Sequence, residues 1–230
     1  DVIDIKASGT AMRFLTAYLC LSQGEHIITG TERMKHRPIK ILVDALRYLG
    51  ADIDYIGNEG YPPLRIRGRE LEGGQLVIPG NVSSQYVSAL LMIAPILAKG
   101  LDLKLTGEIV SRPYIDLTLH IMHEFGVAAE WTNFDTISVK PQQYTRRTYT
   151  IENDWTAASY WYEVLALQED LDAEVVLSGL KDGSRQGDAA VRYIFSLLGI
   201  KTNFARKDAE GLTDATLTRH TRMLNRMDYD

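Results

Sequence analysis

Three small polar side chains, Ser83, Ser84 and Gln85, stand directly before the apolar run from Val87 to Ala98. The tripeptide Ser8-Gly9-Thr10 holds the same place before a second apolar run that begins near Met12. A helix start leaves its first N–H groups without intrahelical partners and carries a partial positive charge. It can therefore hold a phosphate or carboxylate in a protein of any net charge. Capping is the plain reading of a single serine in front of a helix, and one hydroxyl suffices for it. Residues 83–85 supply two hydroxyls and an amide, and the surplus points to anion binding. Two further stretches offer partners for an anion. TERMKHRP (31–38) concentrates Arg33, Lys35, His36 and Arg37 ahead of Pro38, which suits the first position of a helix. SRPY (111–114) occupies the matching connection later in the chain. Arginine presents a planar fork to carboxylate or phosphate, and Ser and Tyr hydroxyls can complete such a shell. Each arginine alone reads as a solvated surface charge; recurrence at equivalent corners sets these apart.

The elements that must position these groups form a repeat. SGTAMRFLTAYLCLSQGEHIITG (8–30), SSQYVSALLMIAPILAKGLDLKLTG (83–107) and DWTAASYWYEVLALQEDLDAEVVLSG (154–179) each give a polar opening, an apolar helix, a turn and an alternating strand closed by glycine. A second helix follows in each and ends at Gly50, Gly126 or Gly199, glycines 76 and 73 residues apart. Ile39, Leu42, Val43, Leu46 and Leu49 recur at helical spacing while Lys40, Asp44 and Arg47 face away, so the second helix has one wet side. The first helix carries Met12, Phe14, Leu15, Tyr18, Leu19, Cys20 and Leu21 nearly all round, and Val87 to Leu97 repeats this, which predicts enclosure by other elements. DIDYIGNEGYPPLRIRGR reads as two strands around a turn. Each unit is thus expected to run βαβαββ, with sheets outside and the apolar helices inside, and Pro95 is expected to bend its helix. Only DVIDI precedes the first apolar helix, so that unit is expected to lack its opening elements. Residues after 205 show thin periodicity, and the chain reads as a fragment of a longer repeat protein.

Composition narrows the partners. The chain has 230 residues, 45% hydrophobic and 24% charged, with no apolar run near the roughly 20 residues that cross a bilayer. Its net charge is −5 with no block of like charge, so nucleic acid and anionic membrane are not expected as partners. Arg219, Arg222 and Arg226 are diluted by Asp214, Asp228 and Asp230 and read as solvated surface. A single cysteine, Cys20, fits a reducing compartment and a cytoplasmic location, and its place in the apolar helix reads as core. His120 and His123 share a helix face without a third ligand, so no metal is expected. Trp155, Tyr160, Trp161 and Tyr162 read as core packing in the third apolar helix.

The motifs SGTAMRFLTA, GTERMKHRPI, LGADIDY, YPPLRIRG, VSSQYVSALLMIAP and SRPYIDLTL resemble the 5-enolpyruvylshikimate-3-phosphate synthase (3-phosphoshikimate 1-carboxyvinyltransferase) family, from residue 5 to about residue 204. The resemblance implies an α/β fold, the enolpyruvyl transferase inside-out α/β barrel, whose two domains each hold three βαβαββ units. It makes residues 1–150 most of one domain and residues 151–230 the opening of the other. The implied reaction moves the enolpyruvyl group of phosphoenolpyruvate to the 5-hydroxyl of shikimate 3-phosphate, releasing phosphate, on the way to chorismate and aromatic amino acids. No cofactor is implied, and the full-length protein is expected to be a monomer. By the same resemblance Ser83, Ser84, Gln85, Ser111 and Tyr114 bind shikimate 3-phosphate, and Gly9, Arg13, Arg37 and Gln85 bind phosphoenolpyruvate.

The sequence also departs from the family. Ala7 stands where an asparagine is usual. The Lys-Ser motif, the catalytic aspartate, the Lys-Glu-Thr-Asp-Arg stretch and the Asn-Asp-His-Arg motif have no counterpart among these residues, and Asp154 and Asp188 do not match catalytic positions. The 230 residues alone are therefore expected to bind substrate weakly without turnover. Two alternatives stand beside this reading. A UDP-N-acetylglucosamine enolpyruvyl transferase relative would have a reactive cysteine at 31–37, where this chain has none. A non-catalytic repeat fragment would bind neither substrate.

Overall fold

The computed structural model describes residues 1–205 and 211–219. The chain divides into two compact units, Asp1–Arg147 and Thr148–Asp230.

The first unit is the same motif built twice. Strand β1 (Val2–Asp4), helix α1 (Gly9–Leu19), β2 (Gly24–Thr29), the short α2 (Glu32–Lys35), α3 (Lys40–Tyr48), β3 (Asp52–Tyr55) and β4 (Leu64–Gly68) make the first copy. Strand β5 (Gly74–Pro79), α4 (Ser84–Ile93), β6 (Leu101–Thr106), α5 (Arg112–Glu124), β7 (Ala129–Trp131) and β8 (Thr136–Val139) make the second. Their sheets run β1-β2-β4-β3 and β5-β6-β8-β7, one parallel pair followed by two antiparallel pairs in each. The expectation that the first copy lacks its opening strand is wrong. Val2, Ile3 and Asp4 pair in parallel with Ile27, Ile28 and Thr29. A strand of three residues is too short to show a period, and its neighbour supplies the order.

Local chemistry accounts for the helix ends. Gly50 and Gly126 stop the outer helices with φ of 104° and 82°, a conformation that side chains with a Cβ disfavour. Helix α4 ends at Ile93 and tightens into a 3-10 turn over Ala94–Ile96, where Pro95 has no N–H to continue the α ladder. Helix α3 turns Leu42, Val43 and Leu46 inward. Helix α4 packs against both α1 and α5, and its residues from Tyr86 to Leu91 are all buried. Helix α1 is less enclosed than its composition suggests. Tyr18 is 59% exposed and Phe14 and Leu15 are half-buried, because α4 and the first sheet cover only part of its circumference.

The second unit repeats the order with α6 (Trp155–Ala166), β9 (Glu174–Leu180), α7 (Val191–Leu197), β10 (Ile200–Phe204) and β11 (Thr213–Arg219), its sheet running β10-β11-β9. Strand β11 corrects the reading of thin periodicity past residue 205: Thr213, Ala215 and Leu217 alternate inward and are buried. The aromatic residues of α6 divide. Trp155 and Tyr162 are fully buried, against Phe204 and Phe195 at ring separations of 6.3 and 5.5 Å. Tyr160 and Trp161 are 65% and 52% exposed, so core packing is wrong for them: the sheet and α7 cover only one face of α6. Arg222, Arg226, Asp228 and Asp230 lie outside the described residues. Among the described residues no helix is long and apolar enough to cross a membrane.

Candidate anion site at two helix mouths

The repeat sets the starts of α1 and α4 beside each other. Each start is capped by the serine expected there: the Ala11 amide donates to Ser8 Oγ at 3.2 Å, and the Gln85 amide to Ser83 Oγ at 3.4 Å. The caps leave the remaining polar groups available for a ligand. Among the described residues Ser84 Oγ has no hydrogen-bond partner, while Gln85 Nε2 donates to Thr10 Oγ1 at 2.9 Å and ties the two mouths together. The sequence does not mark Thr10 or this bridge as part of a site, although Thr10 belongs to the polar tripeptide before α1.

The basic connection supplies charge from one side. Lys35 is held by Glu32 at 2.6 Å and the His36 ring by the Glu32 carbonyl oxygen at 2.7 Å. Arg33 and Arg37 are exposed and have no ion-pair partner among the described residues. The Arg37 guanidinium lies over Gly9. A Cβ at Gly9 would collide with Arg37 Nη1 and come within 2.9 Å of Arg37 Cζ and 3.1 Å of Arg13 Nη1. Glycine permits this close approach of the Arg37 fork, and its backbone conformation is not an unusual one.

Arg13 is placed differently from Arg37. It is only 4% exposed, one layer below the mouth. Its Nη1 donates to the Gly9 carbonyl oxygen at 3.0 Å and its Nη2 to that of Pro38 at 3.2 Å, and Nε is buried without a partner. Its guanidinium thus ties the Gly9 and Pro38 carbonyls together beside the α1 start.

Two hollows adjoin these groups. A groove of about 670 Å³ is lined by the polar residues Thr10, Ser84, Gln85, Ser88 and Tyr114 and by apolar ones that include Phe14, Met92 and Phe125. Tyr144 also lines it and donates to the Met92 carbonyl oxygen at 2.8 Å; burial pushes its phenol up to about 12, so it is neutral there. A smaller hollow of about 270 Å³ is lined by Ala7, Thr31, Arg33, Met34 and Arg37. Ser83 and Ser111 border neither hollow; Ser111 starts α5 without a side-chain capping bond.

No Asp, Glu, His or Lys lines either hollow. The arrangement offers hydroxyls, helix N–H groups and guanidinium to an anion, and no carboxylate, imidazole or amine side chain lines it. Cys20 gives no nucleophile: its Sγ donates to the Thr16 carbonyl oxygen at 3.1 Å, and burial pushes the thiol up to about 12. Among the described residues no three His, Cys, Asp or Glu side chains gather as a metal site would require.

A family model for EPSP synthase (3-phosphoshikimate 1-carboxyvinyltransferase) matches residues 1–225. The chain is 54% identical over 230 residues to a 3-phosphoshikimate 1-carboxyvinyltransferase of Bacteroides fragilis, covering 100% of this chain and 54% of that protein. It is 44% identical over 199 residues to the 3-phosphoshikimate 1-carboxyvinyltransferase of Actinobacillus pleuropneumoniae, covering 84% of this chain and 45% of that protein. The chain thus spans about half the length of the curated relatives it matches. The solved EPSP synthase of Acinetobacter baumannii superposes with a TM-score of 0.73 at 21% identity, covering 95% of this chain and 48% of that one, a likeness of fold.

Proposed function

The chain belongs to the EPSP synthase (3-phosphoshikimate 1-carboxyvinyltransferase) family, and from that premise we propose that it carries much of the substrate-binding half of a carboxyvinyl transferase of the shikimate pathway. The reaction moves the enolpyruvyl group of phosphoenolpyruvate to the 5-hydroxyl of shikimate 3-phosphate and releases phosphate. Both substrates are anions in a chain of net charge −5, so local capture must do what bulk charge does not.

The observation that carries this reading is the pairing of the two mouths: the Gln85–Thr10 bridge at 2.9 Å beside an Arg37 fork that has no protein partner among the described residues. Shikimate 3-phosphate sits with its phosphate on the α4 start, taking Ser83, Ser84 and the helix N–H groups, with Gln85, Ser111 and Tyr114 around the ring. Phosphoenolpyruvate sits at Gly9, where the missing Cβ admits the Arg37 fork, and Gln85 reaches both ligands. Arg13 adds positive field from below. No carboxylate, imidazole or amine side chain lines these hollows, so residues 1–147 bind and orient while acid–base chemistry comes from elsewhere. The unit from residue 148 onward opens the second domain, and the protein works in the cytoplasm as a monomer without a cofactor.

Two measurements test this. Calorimetric titration with shikimate 3-phosphate is expected to give binding to the 230-residue chain that Ser84→Ala abolishes, and a coupled assay of phosphate release is expected to show no turnover. A normal turnover rate from these residues alone, or no binding at all, contradicts the proposal; the latter favours a non-catalytic repeat fragment.

A further inference from the structure

We propose that Tyr86 is a positioning residue for Arg37, an inference that rests on the reading of Arg37 as a phosphoenolpyruvate contact. Tyr86 follows Gln85 in the first turn of α4, and its side chain is buried. Its hydroxyl donates to the Pro38 carbonyl oxygen at 2.7 Å, 48 residues away in sequence. The same oxygen accepts from Arg13 Nη2 at 3.2 Å, and the Arg13 guanidinium lies 5.9 Å from the Tyr86 ring centroid.

Pro38 is the residue after Arg37. Its carbonyl lies one residue past Arg37, and two donors from different repeats hold it: Arg13 from α1 and Tyr86 from α4. Arg13 also grips the Gly9 carbonyl oxygen at 3.0 Å, so Gly9 and Pro38 are pinned to one guanidinium. Arg37 is exposed, and no protein partner among the described residues holds its fork over Gly9, so its aim depends on where its backbone is held. A donor from α4 links that aim to the helix whose first residues are proposed to hold the other substrate. A phenylalanine would fill the same space and leave Pro38 to Arg13 alone.

Tyr86→Phe tests this, since it removes one oxygen and keeps the ring. The amides that flank Pro38 report on the connection: Arg37 N–H donates to the Met34 carbonyl oxygen at 3.0 Å and Ile39 N–H to that of Gly60 at 2.9 Å. Their hydrogen exchange in the ligand-free variant is expected to quicken roughly three- to tenfold, as loss of one hydrogen bond implies, while amides of β6 and β8 are unchanged. Phosphoenolpyruvate affinity is expected to fall by a similar factor, about three- to tenfold, with shikimate 3-phosphate affinity unchanged. Unaltered exchange at Arg37 and Ile39, faster exchange throughout the unit, or equal weakening of both ligands overturns the inference. So does quickened exchange with phosphoenolpyruvate binding intact. If the native chain binds no phosphoenolpyruvate, the assignment of Arg37 fails, and local exchange alone decides whether Tyr86 holds the connection.

Discussion

Gln85 Nε2 donates to Thr10 Oγ1 across 2.9 Å, joining the first turns of two helices whose residues lie 75 apart in sequence. The bond crosses from one copy of the repeat to the other at the capped starts of both helices. It makes one polar mouth of two helix starts, and the expected behaviour of several variants follows from it.

Thr10→Val keeps the shape of residue 10 and removes the acceptor. Thr10 is exposed, so stability should change little, while shikimate 3-phosphate affinity should drop by roughly two- to tenfold as Gln85 loses its orientation. Calorimetry beside a thermal melt checks both statements.

Gly9→Ala places a methyl group where the Arg37 fork lies. The backbone there is ordinary, so the fold should persist while Arg37 is driven aside. Phosphoenolpyruvate affinity should fall by about tenfold or more, the scale of a lost hydrogen bond to a charged group. Direct titration of native and variant chains measures it.

The aromatic residues of α6 should separate in an unfolding experiment. Trp155→Ala empties a fully buried site and should cost about 3–5 kcal/mol, whereas Trp161→Ala, at an exposed position, should stay within about 0.5 kcal/mol. Urea midpoints followed by circular dichroism give the comparison.

Burial raises the Cys20 thiol from 9.0 and the Tyr144 phenol from 10.0, each to about 12. Between about pH 9 and 12 the unfolded chain therefore binds fewer protons than the folded one at these groups, and their contribution to stability falls as pH rises. Urea midpoints should decline from pH 8 to pH 10.5, and a thiol reagent at pH 8 should label Cys20 only as the chain unfolds.

Much of this architecture is legible in the sequence because it rests on local rules. The stops at Gly50 and Gly126 need positive φ, α3 shows one wet face, and α4 is apolar all round because two helices flank it. Features set by distant partners were hidden. Strand β1 is too short for a period, and β11 alternates through Thr and Ala rather than large apolar residues. Tyr18, Tyr160 and Trp161 carry apolar surface on helix faces that no described element covers, which composition cannot reveal. Ser84, Gln85, Tyr114 and Thr10 share one groove while Ser83 and Ser111 do not border it, and the bonds that join the two copies, Gln85 to Thr10 and Tyr86 to Pro38, span 75 and 48 residues. Such pairings exist only once the two copies of the repeat are packed.

The most direct test is to follow backbone amide signals of the isotopically labelled chain during titration with shikimate 3-phosphate. Shifts should concentrate at Ser83, Ser84 and Gln85 and extend to Thr10 through its bridge, with Ser84→Ala removing them. Shifts centred away from the α4 start, or none at saturating ligand, would contradict the claim that this helix mouth holds the phosphate.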